Sequence, residues 1–259
     1  PEEEIRVRAY GIPVKSITSL LPLFSTDVQV LGDEENANGM TFPDISDKSE
    51  YTCYQVVDPA GARNFSAIWA AVNEFGEVYI SREWPDRASH GEWALFGERW
   101  KYGPAAKKIG YDVQGYCALF DEIEEEMGVE VFERIGDSRY FARENENNLD
   151  LFASFAEFDF HFVPSDGRQE IVGIQALDEW FSYNPNYELD SANMPKCFIH
   201  DSCENLIDSL INYNAQGKSD EALKDFFDLI RYLRMANAGD GPIHYTDTDF
   251  QQTRTTGGY

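Results

Sequence analysis

Hydrophobic and polar positions follow two different rhythms along this chain. Tyr51 to Val57 (YTCYQVV) is β-branched and aromatic, and the run stops at Asp58-Pro59-Ala60-Gly61. That predicts a strand ending in a turn. Asn64 to Val72 (NFSAIWAAV) predicts a second strand, although its alanines suit a helix as well. Asn73 to Gly76 is a turn, and Glu77 to Trp84 alternates enough to predict a third strand. Short turns join these strands, which predicts an antiparallel meander at one side of a sheet. The rhythm then changes. Val113, Tyr116, Cys117, Phe120 and Ile123 recur at spacings of three and four, predicting a helix over Asp112–Met127 that ends at Gly128. Val129 to Ile135 predicts a fourth strand, closing at Gly136-Asp137. Leu149–Phe155 predicts a short helix and Phe158–Val163 an extended piece. Gln169–Phe181 predicts a helix, Lys196–His200 a fifth strand, and Glu204–Tyr213 and Ser219–Met235 two more helices.

The resulting order, β-β-β-α-β-(α)-β-α-α, implies an α/β fold with a mixed β-sheet flanked by helices. It is the order used by ribonuclease H-like nucleases. Residues 51–236 form this body. Residues 1–50, interrupted by Pro13, Pro22 and Pro43 and by the polar loop Asp33–Gly39, read as a linker or arm. Residues 237–259 are polar and read as a mobile tail. The chain opens Pro-Glu-Glu-Glu without an initiator Met, so a piece of a longer protein is expected.

Composition narrows the function. With 259 residues, 42% of them hydrophobic, the chain can bury a real core. No apolar run approaches the roughly 18 residues of a membrane span. Acidic residues number 47 and basic residues 21, a formal net charge of −26. That disfavours non-specific binding to polyanions, so any nucleic-acid role has to account for it. The four cysteines, Cys53, Cys117, Cys197 and Cys203, are scattered with no CxxC pair, which reads as reduced thiols in a cytosolic compartment and no zinc site.

Against this background, strand-terminal aspartates stand out. Asp58 and Asp137 each follow an apolar strand, at the sheet edge where open α/β folds build their crevices. On neighbouring strands they would sit side by side. Two close carboxylates are costly without a cation, and hard oxygen ligands suit Mg²⁺ or Mn²⁺. Asp225 and Asp228, three apart on the last helix, share a face. The helix's stripe of Leu223, Phe226, Phe227, Ile230 and Leu233 would pack it on the sheet and bring the pair to the site. Taken singly, each aspartate also fits a plainer role: Asp58 and Asp137 as turn residues, Asp225 and Asp228 as a solvated helix face.

Other signals carry less chemistry. Asp121–Glu126 reads as a solvated helix face. His200 and Cys203 read as packing residues. The segment from Arg82 to Lys108 departs from the acidic background, with Arg82, Arg87, Arg99, Lys101, Lys107 and Lys108. Arg82, Arg99, Lys101, Lys107 and Lys108 are candidates for DNA phosphate contacts. An ordinary surface loop explains them equally well.

These residues carry a family resemblance. Val57-Asp58-Pro59-Ala60, with the strand ending Arg82-Glu-Trp-Pro-Asp86, resembles the opening of the C-terminal nuclease domain of tailed-bacteriophage large terminase subunits. Gly136-Asp-Ser-Arg-Tyr140 resembles that family's second acidic motif. Cys203–Leu210 followed by Lys224-Asp-Phe-Phe-Asp-Leu-Ile-Arg-Tyr232 resembles its closing segment, commonly Asp-x-x-Asp-Ala-x-Arg-Tyr, with Leu229 in place of the alanine. Glu4–Pro13 resembles the exit from the family's motor ATPase domain, and no Walker motif precedes it. The resemblance implies a metal-dependent endonuclease that cleaves concatemeric viral DNA during genome packaging, by two-metal phosphodiester hydrolysis with Mg²⁺ or Mn²⁺. Asp58 would bridge the ions, Asp137 and Asp225 would be further ligands, and Asp228 a ligand or orienting residue. The choice between Asp225 and Asp228 stays open. The implied partners are double-stranded DNA, the portal protein, the small terminase subunit and the protein's own ATPase domain. The isolated domain is expected to be monomeric. The implied place of action is the bacterial host cytoplasm, at the procapsid portal. Two alternatives remain: a Holliday-junction-type resolvase, whose last helix also carries Asp-x-x-Asp, and a non-catalytic portal or scaffold interaction module.

Overall fold

The computed structural model describes residues 20–59, 65–87, 112–141, 151–165, 170–214 and 221–236. Its centre is the predicted meander. Strands β2 (Tyr51–Asp58), β3 (Ser66–Asn73) and β4 (Val78–Trp84) pair antiparallel. The β3–β4 turn is set by Asn73, whose side chain accepts from the backbone N–H of Phe75 and Glu77, and by Gly76 at φ 73°. A positive φ of this kind is one that glycine adopts without a Cβ penalty.

The meander lies in the middle of the sheet rather than at one side. β5 (Val131–Asp137) pairs parallel with β2, and β6 (Phe162–Ser165) parallel with β5. On the other flank β7 (Cys197–His200) pairs parallel with β4, and β1 (Val30–Leu31) parallel with β7. The seven-stranded order is β1-β7-β4-β3-β2-β5-β6. This is a ribonuclease H-like mixed sheet with an extra parallel pair at one edge.

The two faces of the sheet carry separate cores. β3 explains why: it is covered on both faces, so it reads as continuous small and apolar residues instead of an alternating pattern. On one face lie α2 (Val113–Met127) and α3 (Leu151–Ala156), packing Tyr116, Phe120, Phe152 and Phe155 against Trp69 and Val57. Asp112 caps α2 by accepting from Gly115 N–H at 2.8 Å, and Gly128 ends it at φ 66°. On the other face lie α4 (Glu170–Phe181), α5 (Glu204–Asn212) and α6 (Glu221–Met235). Leu177, Phe181, Leu206, Phe226 and Ile230 pack there against Val56, Ile68 and Ile135.

Two further expectations need correcting. Residues 20–31 are not a linker. Leu21, Phe24, Val28 and Leu31 are buried, α1 (Thr26–Gln29) forms, and β1 joins the sheet. The prolines that break longer elements here do not prevent burial of short apolar ones. The run Asp121–Glu126 is not wholly solvated either. Glu124 is buried and takes a bidentate contact from Arg134. Residues 1–19, the tail 237–259 and the loop carrying Arg99, Lys101, Lys107 and Lys108 lie outside the described residues.

Candidate active site

The register of two parallel strands builds the site. Val57 pairs with Gly136, so the next residues, Asp58 and Asp137, leave the adjacent strand ends together. Neighbouring strands lie about 4.8 Å apart. Asp58 also pairs with Ser66 on β3, and Asp137 with Ser165 on β6. The two aspartates share the parity of Val56 and Ile135, which face α4, α5 and α6. Gly136 is required here, because a Cβ at that position would lie 2.3 Å from the Phe152 ring.

Helix α6 crosses this face. Phe226, Phe227, Ile230 and Leu233 are buried against the sheet, as their spacing predicts. Ser165 Oγ donates to the Tyr232 carbonyl at 2.9 Å and ties the helix to the end of β6. Asp228 lies on the buried part of the helix, 4% exposed, and Asp225 is half-buried. The solvated-face reading therefore fails for Asp228.

The four carboxylates influence one another. Burial raises the proton affinity of Asp58 well above the usual carboxylate range, and the charges of Asp225, Asp228 and Asp137 raise it further. No hydrogen bond from a described residue reaches the Asp58 carboxylate. Burial also raises the Asp228 pKa, while Arg231 opposes the shift. Arg231 donates to Asp228 Oδ1 from Nη2 at 2.7 Å and from Nε at 3.1 Å, and both side chains are nearly inaccessible. Gly173 on α4 makes room for that guanidinium, since a Cβ there would meet the Arg231 chain at 2.6 Å.

Asp137 is engaged on both oxygens. Oδ1 accepts from the Arg139 backbone N–H at 2.8 Å. Oδ2 accepts from the Arg139 guanidinium and, at 3.1 Å, from the Tyr232 hydroxyl. Burial and the surrounding negative charge raise the Tyr232 pKa, so its phenol keeps the proton it donates. Sequence reading singled out none of Arg139, Arg231 and Tyr232 as site residues. The available signals were local: Arg139 two residues after Asp137, and Arg231 one helical turn after Asp228.

The basic segment looks different. Arg82 pairs with Glu126 at 3.6 Å, and Arg87 with Glu204 at 3.1 Å and Asp208 at 3.7 Å. All four cysteines are buried free thiols. Among the described residues no helix is long and apolar enough to cross a membrane.

Solved structures share this fold. The P22 large terminase nuclease domain matches over 85% of this chain and 92% of its own, with TM-score 0.51 and 12% identity. The large terminase from a thermophilic bacteriophage, in complex with ADP, matches over 83% of this chain with TM-score 0.52 and 13% identity. The chain has the fold of a large terminase nuclease domain. At such identity the likeness is one of fold. The chain spans 43% of the thermophilic phage protein. No protein-family model and no curated protein sequence matches it.

The donor set of this site suits a hard divalent cation. It is all carboxylate, and Asp58 is a buried acid among acids with no hydrogen-bond donor among the described residues to satisfy it. Among the described residues, however, no three side chains gather closely enough to hold an ion as they stand. Asp137 is turned to Arg139 and Tyr232, and Asp228 to Arg231.

Proposed function

We propose that this chain is a metal-dependent DNA endonuclease domain of the large terminase type, which cuts concatemeric viral DNA during packaging. The observation that carries the reading is Asp58: a buried carboxylate with no donor among the described residues, beside Asp137 and near Asp225 and Asp228, at the strand ends of a ribonuclease H-like sheet. A divalent cation would let these neighbouring carboxylates ionise together.

Asp58, Asp137 and Asp225 are the residues that would hold the divalent ions, Mg²⁺ or Mn²⁺, with Asp58 shared between two of them. Among the charges acting on Asp58, that of Asp225 is foremost, whereas Asp228 is held by Arg231, so Asp228 is assigned an orienting role. Bound divalent cations supply activation of a water nucleophile and stabilisation of the leaving oxygen in phosphodiester hydrolysis. The chain's own residues would set where that happens. β2 and β5 present Asp58 and Asp137 side by side, and α6 closes over them through Ser165 and Tyr232.

The partners in this reading are double-stranded DNA, an ATPase domain of the same protein, the portal protein and the small terminase subunit, at the procapsid portal in the bacterial cytoplasm. The net charge of −26 gives the domain little affinity of its own for DNA, so those partners would raise the rate of cleavage by holding DNA at the site. Tight binding of the isolated chain to duplex DNA at physiological salt would overturn that last point.

Supercoiled-plasmid cleavage tests the main reading, with Mn²⁺, with Mg²⁺ and with EDTA. The expected result is metal-dependent linearisation that Asp58→Asn abolishes. Cleavage that persists in Asp58→Asn, or in EDTA, would refute it. A marked preference for branched over linear duplex would favour a junction resolvase.

A further inference from the structure

Two arginines serve the acidic cluster, and they are held differently. The Arg231 side chain is 3% exposed and wedged against Gly173. The Arg139 side chain is 55% exposed, although the carboxylate it binds is fully buried. Its backbone is fixed, because Asp137 caps the 3₁₀ turn Ser138–Tyr140 through the Arg139 N–H. Its guanidinium is anchored at the tip, on Asp137 Oδ2 and at 3.3 Å from the Tyr232 hydroxyl. Swinging it outward breaks those polar contacts, and more than half of the side chain already faces solvent. Asp137 would keep its Oδ1 bond to the backbone and its Oδ2 bond from Tyr232.

We propose that Arg139 is a displaceable counter-cation for Asp137, which holds the carboxylate in the metal-free protein and yields Oδ2 to an incoming divalent ion. This rests on the metal-nuclease reading of the site. It accounts for the absence of an assembled three-ligand set among the described residues: one of the three carboxylates is already occupied by a cation that the chain itself supplies. Arg139 is on this account a positioning residue that sets metal affinity. Nε and Nη2 both converge on Oδ2, and releasing these charge-assisted contacts costs the metal part of its binding free energy.

Isothermal titration of the full 259-residue chain with Mn²⁺, without DNA, tests this. The variants are Arg139→Met, Arg139→Lys and Asp58→Asn. Arg139→Met should bind Mn²⁺ about tenfold more tightly than wild type, the scale of one charged hydrogen bond, and its metal-free form should melt earlier. Arg139→Lys should return affinity toward wild type. Unchanged or weaker Mn²⁺ binding by Arg139→Met would overturn the proposal. Wild-type binding that is lost in Asp58→Asn keeps the metal reading whichever way Arg139 falls. No binding by wild type or by either Arg139 variant overturns both.

Discussion

Strands β2 and β5 each hold two polar groups that are buried or nearly so, three residues apart and on opposite faces of the sheet, and the two clusters differ in kind. On the α2 face Gln55 and Arg134 pair in register. Arg134 forks onto Glu124 at 2.6 and 2.8 Å, and Trp69 Nε1 donates to the same carboxylate at 3.0 Å. The guanidinium also lies 4.1 Å over the Phe160 ring. One carboxylate meets one guanidinium, and the charge closes. On the α6 face the corresponding positions are Asp58 and Asp137, joined by Asp225 and Asp228 against two guanidinia. That cluster remains acidic. A charge-balanced cluster stabilises a fold. An open one leaves the fold with uncompensated charge, which natural proteins retain at functional sites.

This contrast can be broken by mutation. Glu124→Ala strands the nearly buried Arg134 and the Trp69 N–H, and should cost about 3–5 kcal/mol in urea unfolding. A loss below about 1 kcal/mol, the range of an exposed pair, would erase the distinction. Gly173→Ala drives a methyl into the Arg231 chain and should cost about 1–3 kcal/mol. Its diagnostic signature is a simultaneous loss of metal-dependent cleavage, because Asp228 moves with Arg231.

Asp58→Asn should do the reverse in the metal-free protein, raising stability by about 0.5–2 kcal/mol while cleavage is lost. The pH dependence follows. Asp58 holds its proton more tightly folded than unfolded, so the folded state binds more protons above the ordinary carboxylate range. Its contribution is full at acid pH and is lost as pH rises through the elevated folded value. Glu83, buried and pushed up to about 8, works in the same direction. Urea midpoints between about pH 4.5 and 8 should fall with pH in wild type and fall less in Asp58→Asn. A parallel fall in both would remove Asp58 from the account. The smallest effect belongs to the surface pair Lys48–Glu130, 2.8 Å long with side chains 62% and 77% exposed. Lys48→Ala should change stability by less than about 0.5 kcal/mol, and a larger change would mean that exposure is a poor guide here.

Much of this was legible in the residues. The meander, the amphipathic α2 and α6, and the strand-terminal Asp58 and Asp137 follow from periodicity, and chain order placed them in one mixed sheet. What stayed hidden depended on register and on contacts distant in sequence. β1 is two residues long and exists because Ile199 and His200 offer it a parallel edge. Glu124 sits in a run of acids, and only the packing of Arg134 from β5 marks it out. Glu83 reads as an ordinary strand residue, yet it accepts from the backbone N–H of Asn205 and Leu206 and so caps α5, a role that Cys203 at the N-cap position does not fill with its side chain. Tyr232 became a site residue only once α6 had been laid over β5.

The extra parallel pair at the edge of the sheet has a mechanical meaning. Residues 20–31 grip the sheet at β1, and four strand-to-strand steps separate β1 from β2, about 19 Å at the usual spacing. Tension applied to the chain ahead of Leu21 would reach the sheet through that grip, with β7, β4 and β3 between it and Asp58. The domain could be pulled or turned by this handle while the carboxylate cluster, sheltered behind a stiff three-strand plate, kept its shape.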